Sequence, residues 1–223
     1  ITWRHLLHQT SEWEGVLFEK PDLVDRNRQV GSGADNTHKG THRDLQPPGS
    51  YWEYNDVRVN LLSLCLLHIF KKSLPEILKL RIMDPIGASN TWTWHGYENS
   101  FVEIAGHRLQ SVPGGTHWGG GIHINTFDQA RFGLMVQQSG TWKGKQLVQS
   151  KWFDALRTPC PIRPEYGYLW WLNTDRREWP EAPNNSYGAV GAGTNIIWIS
   201  PQDNIVVVAR WIDQRAVAPF LGL

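Results

Sequence analysis

Residues that could move a proton lie just ahead of the longest apolar segment of the chain. Tyr54 and Asp56 follow the turn-forming pair Pro48-Gly49, and apolar side chains dominate residues 57–72. This pattern predicts a tyrosine hydroxyl on a turn at the mouth of a buried helix. A tyrosine hydroxyl titrates at about pH 10, so acid–base work at neutral pH requires a neighbouring cation.

The segment around Tyr54 also carries a family resemblance. Residues 48–57 read P-G-S-Y-W-E-Y-N-D-V and resemble the second catalytic motif of the serine beta-lactamase and penicillin-binding-protein superfamily, in its class C-like branch. There the motif reads P-G-x-x-F-x-Y-S-N and leads into a helix. Tyr54 matches the family tyrosine, and Asp56 stands where the family has asparagine. Four other segments resemble family motifs in the family's order: residues 1–11, 120–133, 166–171 and 188–201.

The resemblance implies a single α+β domain over residues 1–223, beta-lactamase-like, in which helices flank an antiparallel sheet. The implied reaction is acyl transfer through a serine ester, and the serine comes from an S-x-x-K motif. Tyr54 would carry the proton to and from that serine. One N–H group of the implied oxyanion hole maps to Thr194, and Gly191 and Gly193 would let the substrate approach the backbone closely.

The nucleophile motif itself is absent. No serine of the chain is followed by lysine three positions later. We expect the motif upstream of Ile1, in a parent protein of which this chain is a fragment truncated at the N-terminus and also at the C-terminus. The fragment itself is then predicted to be inactive. The alternative is a catalytically inactive relative that binds a peptide or glycan in the inherited cleft.

Asp56 is a second departure from the family pattern. An asparagine amide can donate a hydrogen bond to a substrate carbonyl, whereas an ionised carboxylate only accepts. Asp56 could pair with the lysine of the absent motif, or it could only act as the N-cap of the helix that begins at Val57. Both roles stay open, and Asp56 is kept beside Tyr54 as a candidate catalytic residue.

The third motif departs as well. The chain has Gly191-Ala192-Gly193 where the family has K-T-G or H-x-G. The motif therefore offers no cation to a substrate carboxylate, which favours uncharged acyl groups such as esters or simple amides.

A glycine-rich segment, residues 114–121, contains Trp118. The glycines would allow close approach of neighbouring groups, and Trp118 is predicted to line the acyl pocket. The alternative is a tight backbone crossing under the sheet.

The composition restricts the partners. Lys and Arg number 22 against 21 Asp and Glu, and no basic stripe is present, so nucleic acid is not expected. The longest apolar run, residues 61–67, is too short to span a bilayer. Histidine pairs occur without an H-E-x-x-H pattern, and we predict neither a metal nor another cofactor. The expected partner is a small ester, amide or lactam substrate.

Local patterns predict the supporting elements. A helix capped by Thr2 opens the chain, residues 19–49 form a long polar loop, and residues 91–116 are irregular. Further helices are predicted over residues 57–72, 75–81, from a Thr126/Gln129 capping box onwards, and over 148–157. Four β-branched or aromatic runs then predict an antiparallel meander: residues 166–172, 187–190, 194–199 and 205–211. Helices followed by a meander are typical of an α+β domain.

Overall fold

A computed structural model of the chain describes residues 1–31, 33–115 and 120–222. These residues form two compact units. The first comprises Ile1–Leu80 and Trp92–His123, and the second comprises Arg81–Thr91 and Ile124–Leu223. Both combine helices with antiparallel strands, so the predicted α+β class is confirmed. The assignment of the whole chain to a single domain stays a prediction.

The first unit begins with helix α1 (Trp3–Leu7). Thr2 caps this helix as predicted, since its hydroxyl accepts a hydrogen bond from the His5 N–H at 3.3 Å. A short hairpin of β1 (Val16–Leu17) and β2 (Lys20–Pro21) follows. The central element is helix α2 (Asp56–Phe70), and α3 (Leu74–Leu78) comes after it. A π-helical turn, Lys79–Met83, contains the boundary between the two units.

Residues 91–116 contain strands, so the prediction of irregular structure there is wrong. The strands are β3 (Thr93–His95), β4 (Phe101–Ile104) and β5 (His107–Gln110). β4 and β5 pair through a two-residue turn in which both residues have positive φ, and β3 pairs with β6 (Gly121–His123). Strands of three or four residues are too short for a period of two to stand out in the sequence.

Helix α2 is held by an apolar cluster. Leu67 is fully buried and packs with Leu74 of α3, Ile104 of β4 and Val112. Full burial of side chains of this size contributes about 1.5–3 kcal/mol each. The cluster therefore fixes the helix whose N-terminus follows Tyr54.

The second unit contains the predicted meander. Its strands are β9 (Trp171–Leu172), β10 (Tyr187–Gly191), β11 (Asn195–Ser200) and β12 (Ile205–Ala209), arranged in the order β12-β11-β10-β9 with every pairing antiparallel. Helix α4 (Thr126–Gln137) packs on β11 and β12. The second unit also contains β7 (Thr141–Trp142), β8 (Lys145–Gln146), α5 (Ser150–Leu156), a 3-10 turn (Thr174–Arg176) and α6 (Gln214–Leu221). Of these, only α5 was predicted.

Helix α4 is capped by Asn125, and not by Thr126 as predicted. The Asn125 Oδ1 accepts a hydrogen bond from the Asp128 N–H at 2.9 Å. The buried Asp128 carboxylate in turn accepts from the N–H and the hydroxyl of Ser89, at 3.0 and 2.6 Å. The motif around residues 120–133 thus ties the segment 81–91 to α4.

Candidate active site

Tyr54 lies one residue before the N-cap of α2. That cap is Asn55, which has an extended backbone and whose Oδ1 accepts from the N–H groups of Val57 and Arg58 at 3.1 and 3.3 Å. Of the two roles left open for Asp56, that of helix N-cap is therefore wrong. Asn55 is the cap because it has the extended backbone conformation that a cap requires, whereas Asp56 is already the first helical residue.

The Asp56 carboxylate faces the polar loop of residues 19–49. The Nη1 of Arg28 donates to its Oδ2 at 3.0 Å. The backbone N–H of Asp56 donates to the carboxylate of Asp25, a fully buried residue, at 3.0 Å. Two carboxylates at the start of a helix are favoured by the helix dipole. Asp56 thus forms an ion pair with an arginine of the same chain.

Arg28 also lies against the ring of the half-buried Tyr54. Its guanidinium carbon is 5.1 Å from the ring centroid, which is within the range of a cation–π contact. Burial and, to a smaller extent, the charges of Asp56 and Asp25 raise the pKa of Tyr54, Arg28 lowers it, and the net result is a pKa of about 12. The cation that tyrosine acid–base chemistry requires is therefore present, although it does not fully offset burial and the carboxylates.

A buried network of charges surrounds the segment that carries Tyr54. The Nη1 of Arg58 lies 2.8 Å from Glu12 and 3.2 Å from Glu53, the residue just before Tyr54. Arg43 contacts the same two carboxylates at 2.6 and 2.9 Å. Buried charges are tolerated when they are paired in this way. The network fixes the backbone on both sides of the tyrosine.

Sequence reasoning passed over Glu12, Arg28 and Arg43. Glu12 has φ +47° and stands where the family's first motif, I-T-x-R-x-L-L-x-H-T-S-G, has glycine. A glutamate in place of that glycine was the available signal for Glu12. The only signal for the two arginines was the charge content of the polar segment 19–49.

The segment that carries Trp118 lies outside the described residues, which stop at residue 115 and resume at residue 120. Just before it, the Gly115 N–H donates to the Asn60 side chain at 2.9 Å. A Cβ at Gly115 would lie 2.7 Å from the Cα of Asp56, so only glycine fits at this crossing. The crossing at Gly115 is over the first turn of α2, beside Asp56.

The third motif forms the turn between β10 and β11. Gly191 pairs with Asn195, and Gly193 and Thr194 have φ of +72° and +55°. A Cβ on Gly193 would clash with the ring of Trp211, a residue that is 76% exposed. Glycine at this position therefore serves both the turn and the close packing of an exposed tryptophan.

A cation that directly follows β12 lies beside this turn. The Arg210 Nε donates to the Asn195 side chain at 3.4 Å, and its Nη1 donates to the carbonyl of Ile124 at 3.0 Å. The third motif itself carries no cation, as the sequence shows, but Arg210 follows β12 and lies beside it.

The predicted site residues are divided between the two units. Tyr54 and Asp56 belong to the first unit, and Gly191, Gly193 and Thr194 belong to the second. The structure groups Tyr54 with Asp56, and it places Gly191, Gly193 and Thr194 on one turn. That these two groups face a common cleft stays a prediction.

Within the described ranges, no three or more His, Cys, Asp or Glu side chains are arranged to hold a metal ion. Over the same residues, every helix is too short or too polar to cross a membrane.

Comparison with known proteins identifies the family. A profile of the Beta-lactamase family matches residues 1–211. The chain belongs to the Beta-lactamase family. A search of curated protein sequences gave no match. The Beta-lactamase assignment agrees with the five motifs and with the α+β fold.

Solved structures share the fold of this Beta-lactamase family member at low sequence identity. A D-stereospecific amidohydrolase from Streptomyces sp. matches with a TM-score of 0.61 and 15% identity, over 99% of this chain and 72% of its own. A penicillin-binding protein from Bacillus halodurans matches with a TM-score of 0.57 and 18% identity, over 94% of this chain and 68% of its own. The hydrolase EstCE1, described as having promiscuous acyltransferase activity, matches with a TM-score of 0.58 and 16% identity, over 93% of this chain and 66% of its own. The chain spans 54% to 72% of the length of such structures.

Proposed function

We propose that the chain is part of a serine hydrolase that cleaves an ester, amide or lactam bond through an acyl-enzyme. Membership of the Beta-lactamase family supports a hydrolase. The observation that carries the serine mechanism is the setting of Tyr54. It precedes the N-terminus of a buried helix, between charge-paired segments, with a guanidinium against its ring.

In the proposed reaction Tyr54 carries the proton, either as tyrosinate or through a proton that it shares with the lysine of the upstream motif. It takes up the proton of the nucleophilic serine as the serine oxygen bonds to the substrate carbonyl carbon, and that proton then passes to the leaving alcohol or amine. Water next attacks the acyl-enzyme, and the serine regains a proton as the acid product leaves. The N–H of Thr194 is the proposed donor to the oxyanion, beside the serine's own N–H.

The serine and its lysine partner are proposed to lie upstream of Ile1. No serine of this chain has lysine three positions later, and the chain spans only part of the length of the structures that share its fold. The proposed fragment of 223 residues therefore holds the tyrosine and the third motif, and the nucleophile comes from the preceding segment.

The proposed substrate class has an uncharged acyl group. Gly191-Ala192-Gly193 provides no side-chain charge, and the Arg210 guanidinium is engaged by Ile124 and Asn195. A substrate carboxylate would have to compete for that guanidinium. Short-chain esters and simple amides make no such demand.

The test uses the natural protein with its upstream segment included. Intact-mass measurement after incubation with a fluorophosphonate should show one adduct, and a short-chain p-nitrophenyl ester should be hydrolysed. The matched control is the same protein with the upstream serine changed to alanine. If the longer protein gives neither adduct nor turnover, the proposal is wrong.

A second function has one observation in its favour. The first unit has a surface cavity of about 480 Å³, lined mainly by polar side chains, which suits a peptide or glycan: Glu19, Lys20, Gly96, Tyr97, Glu98, Asn99 and Gly120. A longer protein without the Ser and Lys pair would favour such a binding role. Calorimetric titration with soluble oligosaccharides and peptides, beside a Tyr97→Ala variant, would then test it.

A further inference from the structure

Four charged residues form a cluster beside Tyr54: Asp25, Arg28, Lys39 and Asp56. One of them, Arg28, is marked by no sequence motif. Arg28 comes from the polar loop, and its guanidinium carbon lies 5.1 Å from the centroid of the Tyr54 ring. Its Nη1 lies 3.0 Å from Asp56 and 3.5 Å from Asp25. One side chain thus contacts the ring and both carboxylates of the cluster.

The charges of this cluster balance. Asp25 and Asp56 contribute two negative charges, while Arg28 and Lys39, whose Nζ lies 3.1 Å from Asp25, contribute two positive ones. Asp25 and Asp56 are buried and Arg28 is largely buried, so their interactions are only weakly screened. The family motif has a neutral asparagine at the position of Asp56. A carboxylate there would leave a net negative charge beside the tyrosine if no cation accompanied it.

We propose that Arg28 is the positioning residue of Tyr54. The Arg28–Asp56 ion pair replaces the neutral asparagine of the family motif, and the cation offsets the negative charge that Asp56 adds beside the tyrosine hydroxyl. The contacts stand independently of any reaction. Only the relevance of Arg28 to catalysis rests on the proposed function.

The directions in which the pKa values of Tyr54 and Arg28 are shifted agree with this assignment. Burial and Asp56 raise the pKa of Tyr54, and Arg28 acts against them. Burial of Arg28 disfavours its charge, but Asp56 and Asp25 outweigh this and raise its pKa. Arg28 therefore stays protonated over the range in which Tyr54 titrates, and it is a permanent charge at this site.

The test measures the ionisation of Tyr54 directly in this chain. Tyrosine labelled with ¹³C at the ring Cζ gives six signals, and Tyr54→Phe identifies the one that belongs to Tyr54. Asp56→Asn should lower the titration midpoint of the Tyr54 hydroxyl by about one pH unit, because one nearby negative charge is removed. Adding Arg28→Gln should return it at least halfway towards the wild-type value. Circular dichroism at each pH checks that the variants stay folded.

Lys39→Gln in the Asp56→Asn background is the matched control. It removes a positive charge from the same cluster, but Lys39 pairs with Asp25 and has no ring contact with Tyr54. Lys39→Gln should shift the titration midpoint of the Tyr54 hydroxyl by less than half as much as Arg28→Gln does. Equal effects of the two substitutions, or no effect of Arg28→Gln, would overturn the proposal.

Asp56→Asn alone also keeps the proposal falsifiable should the double variant not fold. An unchanged Tyr54 midpoint in that single variant would mean that Asp56 and Tyr54 do not interact, and that nothing needs offsetting. The titration requires no nucleophile. If it succeeds while the longer protein neither hydrolyses esters nor labels with the fluorophosphonate, the proposed function fails and the assignment of Arg28 stands.

Discussion

Both carboxylate oxygens of Glu12 accept hydrogen bonds from the guanidinium of Arg43, at 2.6 and 2.7 Å. The two residues are 31 positions apart, and Glu12 holds a left-handed backbone conformation. The pair, together with Arg58 and Glu53, fixes the segment that leads into Tyr54. The loop of residues 19–49 is thereby part of the support of the candidate site.

Removing the Glu12 side chain should destabilise the protein. Glu12→Ala leaves Arg43 and Arg58 short of a buried partner and should cost about 3–5 kcal/mol of unfolding free energy. Glu12→Gly removes the same carboxylate but relieves the left-handed strain, so it should be about 1 kcal/mol more stable than Glu12→Ala. Urea melts of the two variants measure this difference. If Glu12→Gly were the less stable variant, the conformational part of the argument would be wrong.

The same carboxylate predicts a pH dependence. Burial alone would raise the pKa of Glu12, but hydrogen bonds from Arg43 and the Gln46 N–H, with the charge of Arg58, hold it below 4.5. A lowered folded-state pKa gives stability that is present above the unfolded value and lost as pH falls through the folded one. The difference in unfolding free energy between wild type and Glu12→Gln should therefore become smaller below about pH 4.5. A gap independent of pH would contradict this.

The chain of residues 1–223 should form no acyl-enzyme by itself. Without a nucleophile beside Tyr54, the site offers no group that a fluorophosphonate could phosphonylate or a fluorescent penicillin could acylate. Intact-mass measurement should show no stoichiometric adduct. A single serine adduct on this chain would overturn both this prediction and the placement of the motifs.

Tyr54→Phe in the longer protein removes only the hydroxyl. If Tyr54 transfers a proton, kcat/KM on a short-chain ester should fall by about two to four decades, with little change in stability. Tyr51→Phe is the control, because Tyr51 also has a cation over its ring, the Arg43 guanidinium carbon at 4.1 Å. Its activity should match wild type. A Tyr54→Phe variant with near-wild-type turnover and a loss of about 1 kcal/mol would indicate a structural role instead.

Gly193→Ala should be costly for two separable reasons. Its φ of +72° is unfavourable for alanine, and the added Cβ would strike the Trp211 ring. Gly106→Ala is the matched control, since Gly106 has φ +78° and a Cβ there would meet no atom within 4 Å. Gly193→Ala should therefore lose more stability in a urea melt than Gly106→Ala. The excess should disappear when Trp211→Ala is added, and an excess that persists would contradict the proposed contact.

Local patterns in the sequence were sufficient for the larger elements. The long apolar segment after Asn55 and the β-branched runs of the last third predicted α2 and the meander, because a continuous apolar run and short β-branched runs between turn residues are visible in consecutive residues. The motif around Tyr54 was equally local. Its place at the start of α2 follows from a turn and a helix that are adjacent in the chain.

Only the tertiary structure decided which charged residues surround Tyr54 and which contacts hold them in place. The N-cap fell on Asn55 and left Asp56 to pair with Arg28, 28 residues away, and the short strands β3 to β6 gained their partners only after folding. Single ion pairs between distant residues leave no periodic signal, because any of the loop's arginines satisfies the local pattern equally well. Which one is buried against Tyr54 depends on how the loop of residues 19–49 folds back over α2, since only burial makes the choice of partner energetically decisive.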